Sequence, residues 1–264
     1  MSWRAEGLAV WAFAVRNLVM GTRNVFFFFE LLFWPLVSVV SIGLMTRFFG
    51  LRPEDTAFVL VGTIALSVMQ VCELEVAYAV LLDVWSKSLK HQFMAPVGLR
   101  HMTLGAWIVG IVRGIVIFTI LAALGRWAFG FDALAAGVLP LVTFLLGCFV
   151  SAWIVGVGVC ALIILFGNRA EAFAWASVNF ILVLAGIYYP VSVLPGPVAV
   201  AASLVPLTHF LDAYRAQFGF AQVFSHPVLT GFALAAVYAV LVHGAFMAAV
   251  QRARRSGLLL KLSE

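Results

Sequence analysis

Long apolar segments alternate with short charged ones along this chain, and several are as long as the roughly 18 residues that mark a membrane-spanning helix. Backbone polar groups in lipid must be hydrogen-bonded within the protein, and single apolar runs of this length achieve that as helices. We therefore expect an all-α integral membrane protein with one domain over residues 1–264. The pattern predicts six spans, at 25–48, 56–82, 102–124, 133–166, 172–189 and 228–250.

Two further segments are apolar but interrupted, and neither has the pattern of a full span. Residues 3–20 carry Arg4, Glu6 and Arg16 among apolar positions, which predicts an amphipathic helix at the membrane interface. Residues 190–227 keep apolar stretches but are broken by prolines. Because proline ends or kinks helices, this segment predicts short re-entrant helices in the outer membrane face between spans five and six.

A charged island separates the second and third predicted spans. Over residues 83–96, Trp85, Leu89 and Phe93 recur at helical spacing among charged residues, and Ala95-Pro96 ends the pattern. This predicts a short amphipathic helix on the membrane surface. Pattern alone leaves two possibilities open: a helix that only ties two spans together, or one with a binding role.

Composition and charge fix the class and the orientation. The chain is 64% hydrophobic and 10% charged, with a formal net charge of +5, and its mean hydropathy is +1.12. Most Lys and Arg residues fall on the side of the two termini, while the other side carries only Arg47, Arg52, Arg126 and Arg215. The positive-inside rule then predicts cytoplasmic N- and C-termini. Basic residues at span ends, rather than in one stripe, argue against nucleic-acid binding.

Charged residues inside predicted spans are costly in lipid and are usually paired or functional. Glu73 and Glu75 in the second span and Arg113 in the third fall at similar depth, so a pair of Arg113 with either carboxylate is expected. Gly110 and Gly114 flank Arg113 and would let the helices approach closely. Such a pair could be a structural clasp within one subunit or a substrate contact.

Other chemistry has little support in the sequence. Cys72, Cys148 and Cys160 fall within apolar spans at spacings that fit neither a disulfide framework nor a metal site, and the histidines are scattered. No G-x-S-x-G or H-E-x-x-H motif supports an intramembrane lipid-modifying enzyme, and no internal repeat supports an ATP-independent transporter. Both remain the alternatives to the interpretation that follows.

Three stretches resemble the permease subunit of ABC-2 type transporters: Glu75–Pro96, with an acidic residue before a charged surface helix and a closing proline; Gly186–Pro195, GIYYPVSVLP; and Pro206–Arg215, PLTHFLDAYR. Their order also resembles that family, as do the interface helix and the proline-broken outer segment. The likeness covers nearly the whole chain.

The resemblance implies a homodimer of this permease, or a heterodimer with a related one, and two separate P-loop ATPase subunits that bind ATP and Mg²⁺. The chain has no G-x-x-x-x-G-K-[ST] loop, so it is not expected to be an enzyme or to hold a cofactor itself. The surface helix would be the coupling helix on the ATPase. Its contact residues would be Asp83, Trp85, Lys87, Leu89, Lys90, His91 and Phe93.

The resemblance also implies export across the bacterial inner membrane, through a path where spans one, two and five of two copies meet. The substrate class would be amphipathic or lipid-linked, either a glycolipid or polysaccharide or a hydrophobic small molecule. Aromatic side chains in these spans are candidates to line or close the path. They are Phe33, Trp34, Phe180, Tyr188 and Tyr189.

Overall fold

The computed structural model describes residues 3–22, 25–88 and 98–256, and within them the chain is helical with short turns. The α-helices are α1 (Trp3–Thr22), α2 (Val25–Phe48), α3 (Pro53–Trp85), α4 (Leu99–Phe129), α5 (Val138–Phe166), α6 (Glu171–Leu184), α7 (Gly196–Ser203), α8 (Pro206–Arg215) and α9 (Pro227–Arg255). Single 3₁₀ turns lie at Ala133–Ala136, Gly167–Ala170, Val191–Val193 and Ala216–Phe218.

Several helices can cross a membrane. Among the described residues these are α3, α4, α5 and α9, and the pair α7 and α8, bent by 89°, would add a fifth if it were one broken span. The apolar stretches Leu32–Phe48 in α2 and Glu171–Leu184 in α6 are shorter. The chain is thus an all-α, multi-pass membrane protein, and the arrangement of six spans stays a prediction.

Of the helix ends that differ from the predicted bounds, two affect the candidate site. The fifth predicted span runs to residue 189, but α6 ends at Leu184 and Gly186 adopts φ +67°, a left-handed conformation that suits glycine and turns the chain. The second predicted span ends at 82, whereas α3 continues to Trp85. Asp83 and Trp85 therefore lie in the last turn of α3 and not in a separate surface helix.

α3 is the central helix of the bundle and packs against α2, α4, α5, α6 and α8. Small residues on its neighbours make this possible. A Cβ at Gly110 of α4 would lie 2.9 Å from Cys72 Sγ, and one at Gly156 of α5 would lie 2.7 Å from Val76 Cβ. Without a hydrophobic driving force between helices in lipid, such close backbone packing is a main source of stability.

The buried side chains form two clusters, which define two ends of the molecule. At the first, Phe13 of α1 packs with residues from the end of α3, the start of α4 and the last turns of α9, among them Val84, Met102 and Val250. We call this the α1 end. At the other end, Phe131, Phe144 and Tyr214 pack with the first half of α3. We call this the α8 end.

Candidate functional site

A buried ion pair joins the two central helices. The Arg113 guanidinium of α4 donates to Glu75 Oε2 of α3, and both side chains are almost fully buried. On its other side Arg113 lies against Gly21 of α1, where a Cβ would collide with the guanidinium. Three helices therefore meet at this charged pair.

Glu73 lies apart from that pair, although it is only two residues from Glu75. The side chain is fully buried, and Ser177 Oγ of α6 donates to Glu73 Oε1 at 3.3 Å. Two positions along an α-helix differ by about 200° in direction, so the two carboxylates face different neighbours. Of the two partners expected for Arg113, the structure brings Glu75 to it and Glu73 to α6.

The end of α3 is fixed to α1 through Asp83. Arg16 Nη1 lies 3.2 Å from Asp83 Oδ2, and Ser88 Oγ donates to Asp83 Oδ1 at 3.0 Å. Asp83 is 5% exposed, so the pair lies mostly out of solvent.

The start of α4 is fixed to the same helix by a second set of polar contacts. Arg100 Nη2 lies 2.6 Å from Glu6 Oε1, and His101 Nε2 lies 3.5 Å from Glu6 Oε2. The His101 ring also caps α4, because Nδ1 accepts the Gly98 N–H at 2.9 Å. α1 thus contacts both flanks of the segment between α3 and α4.

We call these two contacts the α1 clamp: Arg16 with Asp83, and Glu6 with Arg100 and His101. In the sequence pattern, Glu6 and Arg16 are only interruptions of an apolar helix. Glu6 and Arg16 are ten residues apart, which is about 15 Å along a helix. Two charges at this distance can bind charged residues on both sides of the segment between α3 and α4. The sequence could not show this, because it does not give the positions of those residues in space.

The turn after α3 has the form of a Schellman motif. Ser88 N–H donates to the Asp83 carbonyl at 2.9 Å, Lys87 N–H donates to the Val84 carbonyl at 3.1 Å, and Lys87 has φ +55°. α3 therefore ends in a well-defined turn. Trp85 stays 45% exposed beside Tyr78 at a ring-centroid distance of 6.0 Å. The other predicted contact residues, Leu89, Lys90, His91 and Phe93, lie outside the described residues.

The predicted path residues fall into two groups. Phe33 and Trp34 of α2 and Phe180 of α6 present exposed side chains. Tyr188 instead is half-buried and packs against the buried cluster of the α8 end, while the Tyr189 hydroxyl donates to the Val183 carbonyl. Tyr188 is thus partly covered within one subunit.

Arg215 forms a clasp at the α8 end that the sequence analysis did not identify. Its guanidinium donates to the carbonyls of Gly186 and Ile187 at 2.7 Å each and of Phe58 at 3.0 Å. It also lies 3.5 Å from the centroid of the Phe58 ring, a cation–π contact. One side chain thereby joins α8, the turn after α6 and the start of α3.

The described part of the chain contains no cluster of three His, Cys, Asp or Glu side chains that could hold a metal ion. Cys72, Cys148 and Cys160 are free and buried.

Comparison with known proteins gives two matches. The sequence model of a family described as ABC-2 type transporter matches residues 9–219, a range that includes Arg16, Asp83, Arg113 and Arg215. An uncharacterized protein of Archaeoglobus fulgidus is 44% identical over 48 residues, which cover 18% of this chain and 75% of that protein.

Proposed function

Because this chain belongs to the ABC-2 type transporter family, we propose that it is the membrane permease subunit of an ATP-driven exporter. Two copies pair in the bacterial inner membrane, and two separate P-loop ATPase subunits bind ATP and Mg²⁺ on the cytoplasmic side. The complex moves an amphipathic or lipid-linked substrate outward. The permease itself is multi-pass and contributes the path, while the energy comes from the partner.

The observation that carries this proposal is the α1 clamp. A segment that receives force from an ATPase must be joined firmly to the helices that move. Here Asp83 before the segment and Arg100 after it are both bound to α1. A displacement of this segment would thus be passed to α1, α3 and α4 together.

The buried Arg113–Glu75 pair extends the same connection into the bundle. It links α3 to α4 and touches α1 at Gly21. Charges that are paired inside a membrane protein resist separation, because an unpaired charge in low dielectric is strongly destabilising. The three helices are therefore suited to move as one unit relative to α9, which is largely exposed.

The cytoplasmic side is assigned from charge. The α1 end carries Arg100 and, in the last turn of α9, Arg252, Arg254 and Arg255. Such an excess of basic residues marks the cytoplasmic side of a membrane protein. Trp85, exposed at this end, supplies an aromatic anchor of the kind that dominates protein interfaces.

The test compares two exposed tryptophans at opposite ends of the molecule. The permease is affinity-purified from its native membranes, and the ATP hydrolysis that accompanies it is measured. We expect Trp85→Ala to lower this activity roughly tenfold or more, as for loss of an interface hot spot.

Trp127→Ala is the matched control, because Trp127 is 87% exposed at the α8 end. It should leave the co-purified hydrolysis unchanged. Equal activity in the Trp85→Ala and wild-type preparations would overturn the docking site. No nucleotide hydrolysis with the wild-type permease would overturn the ATP-driven function as a whole.

A further inference from the structure

A cavity of about 620 Å³ opens between α5, α8 and α9 at the α8 end. Its volume lies within the range of roughly 300 to 1,000 Å³ that is typical of small-molecule sites. It is separate from the α1 clamp and from the buried Arg113–Glu75 pair. Nothing in the proposed transport cycle uses it.

The lining changes from polar to aromatic along the helix axes. Gln217, Gln222 and Ser225 lie at the mouth, in the connection between α8 and α9. Phe232 lies five residues after the first residue of α9, which is about 7.5 Å deeper along the helix. The cavity therefore has a polar mouth and an apolar floor.

The aromatic side chains of the floor are held in place by contacts with one another. Phe144 and Tyr214 stack at a centroid distance of 4.2 Å, and Phe210 and Phe232 meet edge to face at 4.8 Å. The Tyr214 hydroxyl donates to the Ala133 carbonyl, which fixes the ring. Preformed apolar walls reduce the ordering cost of binding.

The mouth is also held in place. Asp212 Oδ2 accepts the Val223 and Phe224 N–H groups at 3.2 and 3.1 Å, so its carboxylate is used to order the α8–α9 connection. Among the lining residues there is no Asp, Glu, Lys or Arg. The remaining polar groups are an imidazole, from His226, and the amides and hydroxyls, which are neutral donors and acceptors that suit hydroxyl groups rather than phosphate.

One side of the cavity faces an apolar environment. Leu139 and Leu229 line it and are 75% and 72% exposed. In a membrane-spanning bundle, exposed leucines of this kind border acyl chains rather than water. An occupant could thus enter sideways from the bilayer, with its chain toward the aromatic floor and its head at the mouth.

We propose that this cavity is a lateral binding site for a bilayer lipid whose head group is uncharged and carries hydroxyl groups. The polar mouth binds the head and the aromatic floor binds the upper part of an acyl chain. Binding requires neither ATP nor a partner subunit, so it can be tested on the permease alone.

The first experiment fills the cavity. Ala213 lines it, and Ala213→Phe places a ring inside, whereas Ala236→Phe adds the same ring at an exposed position of α9 outside the lining. Native mass spectrometry from a detergent without sugar groups counts bound monoglucosyl-diacylglycerol. We expect about tenfold lower binding in Ala213→Phe and wild-type binding in Ala236→Phe.

The second experiment tests the head-group selectivity. Phosphatidylglycerol with the same acyl chains should bind the wild-type protein at least about tenfold more weakly, because neither Lys nor Arg lines the cavity to meet the phosphate. Replacing both mouth amides, Gln217→Leu with Gln222→Leu, should abolish this preference. These positions are at the mouth, so the variant tests the site even if Ala213→Phe does not fold.

Three results would overturn the proposal. They are unchanged glycolipid binding in Ala213→Phe, equal binding of the two lipids by the wild-type protein, and a preference that survives the double glutamine change. If Ala213→Phe instead separated the permease dimer, the cavity would be occupied by a second copy and the lipid assignment would be wrong.

Discussion

At the scale of residues, the buried charges of this permease are divided between two tasks. Arg113 and Glu75 join α3 to α4, while Glu73 faces α6 and receives the Ser177 hydroxyl. The helical period separates the two carboxylates, because positions two apart face in different directions. Sequence position alone could therefore not choose the partner of Arg113.

This assignment predicts strong coupling between Glu75 and Arg113. Each single change, Glu75→Leu or Arg113→Leu, should destabilise the protein by about 3 to 5 kcal/mol, because it leaves one charge buried and unpaired. The double variant should be less destabilised than the sum of the two. The measurement is a double-mutant cycle on the free energy of unfolding in detergent.

Glu73 supplies the matched control for that cycle. Glu73→Gln combined with Arg113→Leu should be additive within about 0.5 kcal/mol, since the two side chains have different partners. Additive behaviour of Glu75 with Arg113, or coupling of Glu73 with Arg113, would contradict the pairing.

At the scale of elements, α1 connects the end of α3 to the start of α4, and in this sense it is a strut. Its packing on α4 is close, since a Cβ at Gly105 would lie 2.7 Å from Phe13 Cβ. The Schellman turn at Lys87 ends α3 beside Asp83, the residue that binds Arg16. The end of α3 and the start of α4 are therefore both held by α1.

A charge exchange in the α1 clamp tests this role. Arg16→Asp and Asp83→Arg should each remove the ion pair and weaken folding by about 1 to 3 kcal/mol, because the carboxylate is buried. We expect each to lower transport-linked ATP hydrolysis while the permease still inserts. The combined exchange should restore much of both, and the readouts are thermal unfolding and ATP hydrolysis of the purified complex.

The exposed pair Arg52 and Asp55 is the control, with side chains 73% and 41% exposed. Charge reversal at Arg52 should change stability by no more than about 0.5 kcal/mol, as is usual for exposed positions. If the Arg16 and Asp83 variants behaved like the Arg52 variant, α1 would not be a strut.

At the scale of the whole molecule, the bundle leaves some aromatic faces without cover. Phe33 and Trp34 of α2 and Phe180 of α6 are exposed, whereas Tyr188 is half-buried against the cluster of the α8 end. A homodimer with a two-fold axis would place equivalent residues near that axis opposite each other. The proposed path is thus expected at the exposed aromatics rather than at Tyr188.

Crosslinking locates the dimer face. Cysteines at Phe33, Trp34 and Phe180, introduced one at a time, should give disulfide-linked dimers at one or more positions, which requires Cα atoms within about 7 Å. The native cysteines are buried and should not interfere. Gel mobility under non-reducing conditions is the measurement.

Val240→Cys on α9 is the control, because Val240 is 74% exposed and α9 is the least buried of the four span-length helices among the described residues. It should remain monomeric on the gel. Crosslinking through Val240, with none through the aromatic positions, would move the subunit interface and the path to α9.

The sequence by itself determined the class of the protein and most of its helices. Apolar runs of span length require helices in lipid, so the all-α membrane fold follows from composition and pattern. The first predicted span coincides with α2, and the prolines of 190–227 correspond to the short, bent helices α7 and α8. The family likeness came from the same local features, and the family match supports it.

Only the tertiary structure decided which charges meet. The clamp joins Glu6 to Arg100 and Arg16 to Asp83, and Arg215 reaches Gly186, Ile187 and Phe58, all across large separations in the chain. Periodicity states which way a side chain points from its own helix, but not which neighbouring helix lies there. That choice depends on close packing at glycines such as Gly110 and Gly156, and the lipid-sized cavity between α5, α8 and α9 exists only once those helices are packed.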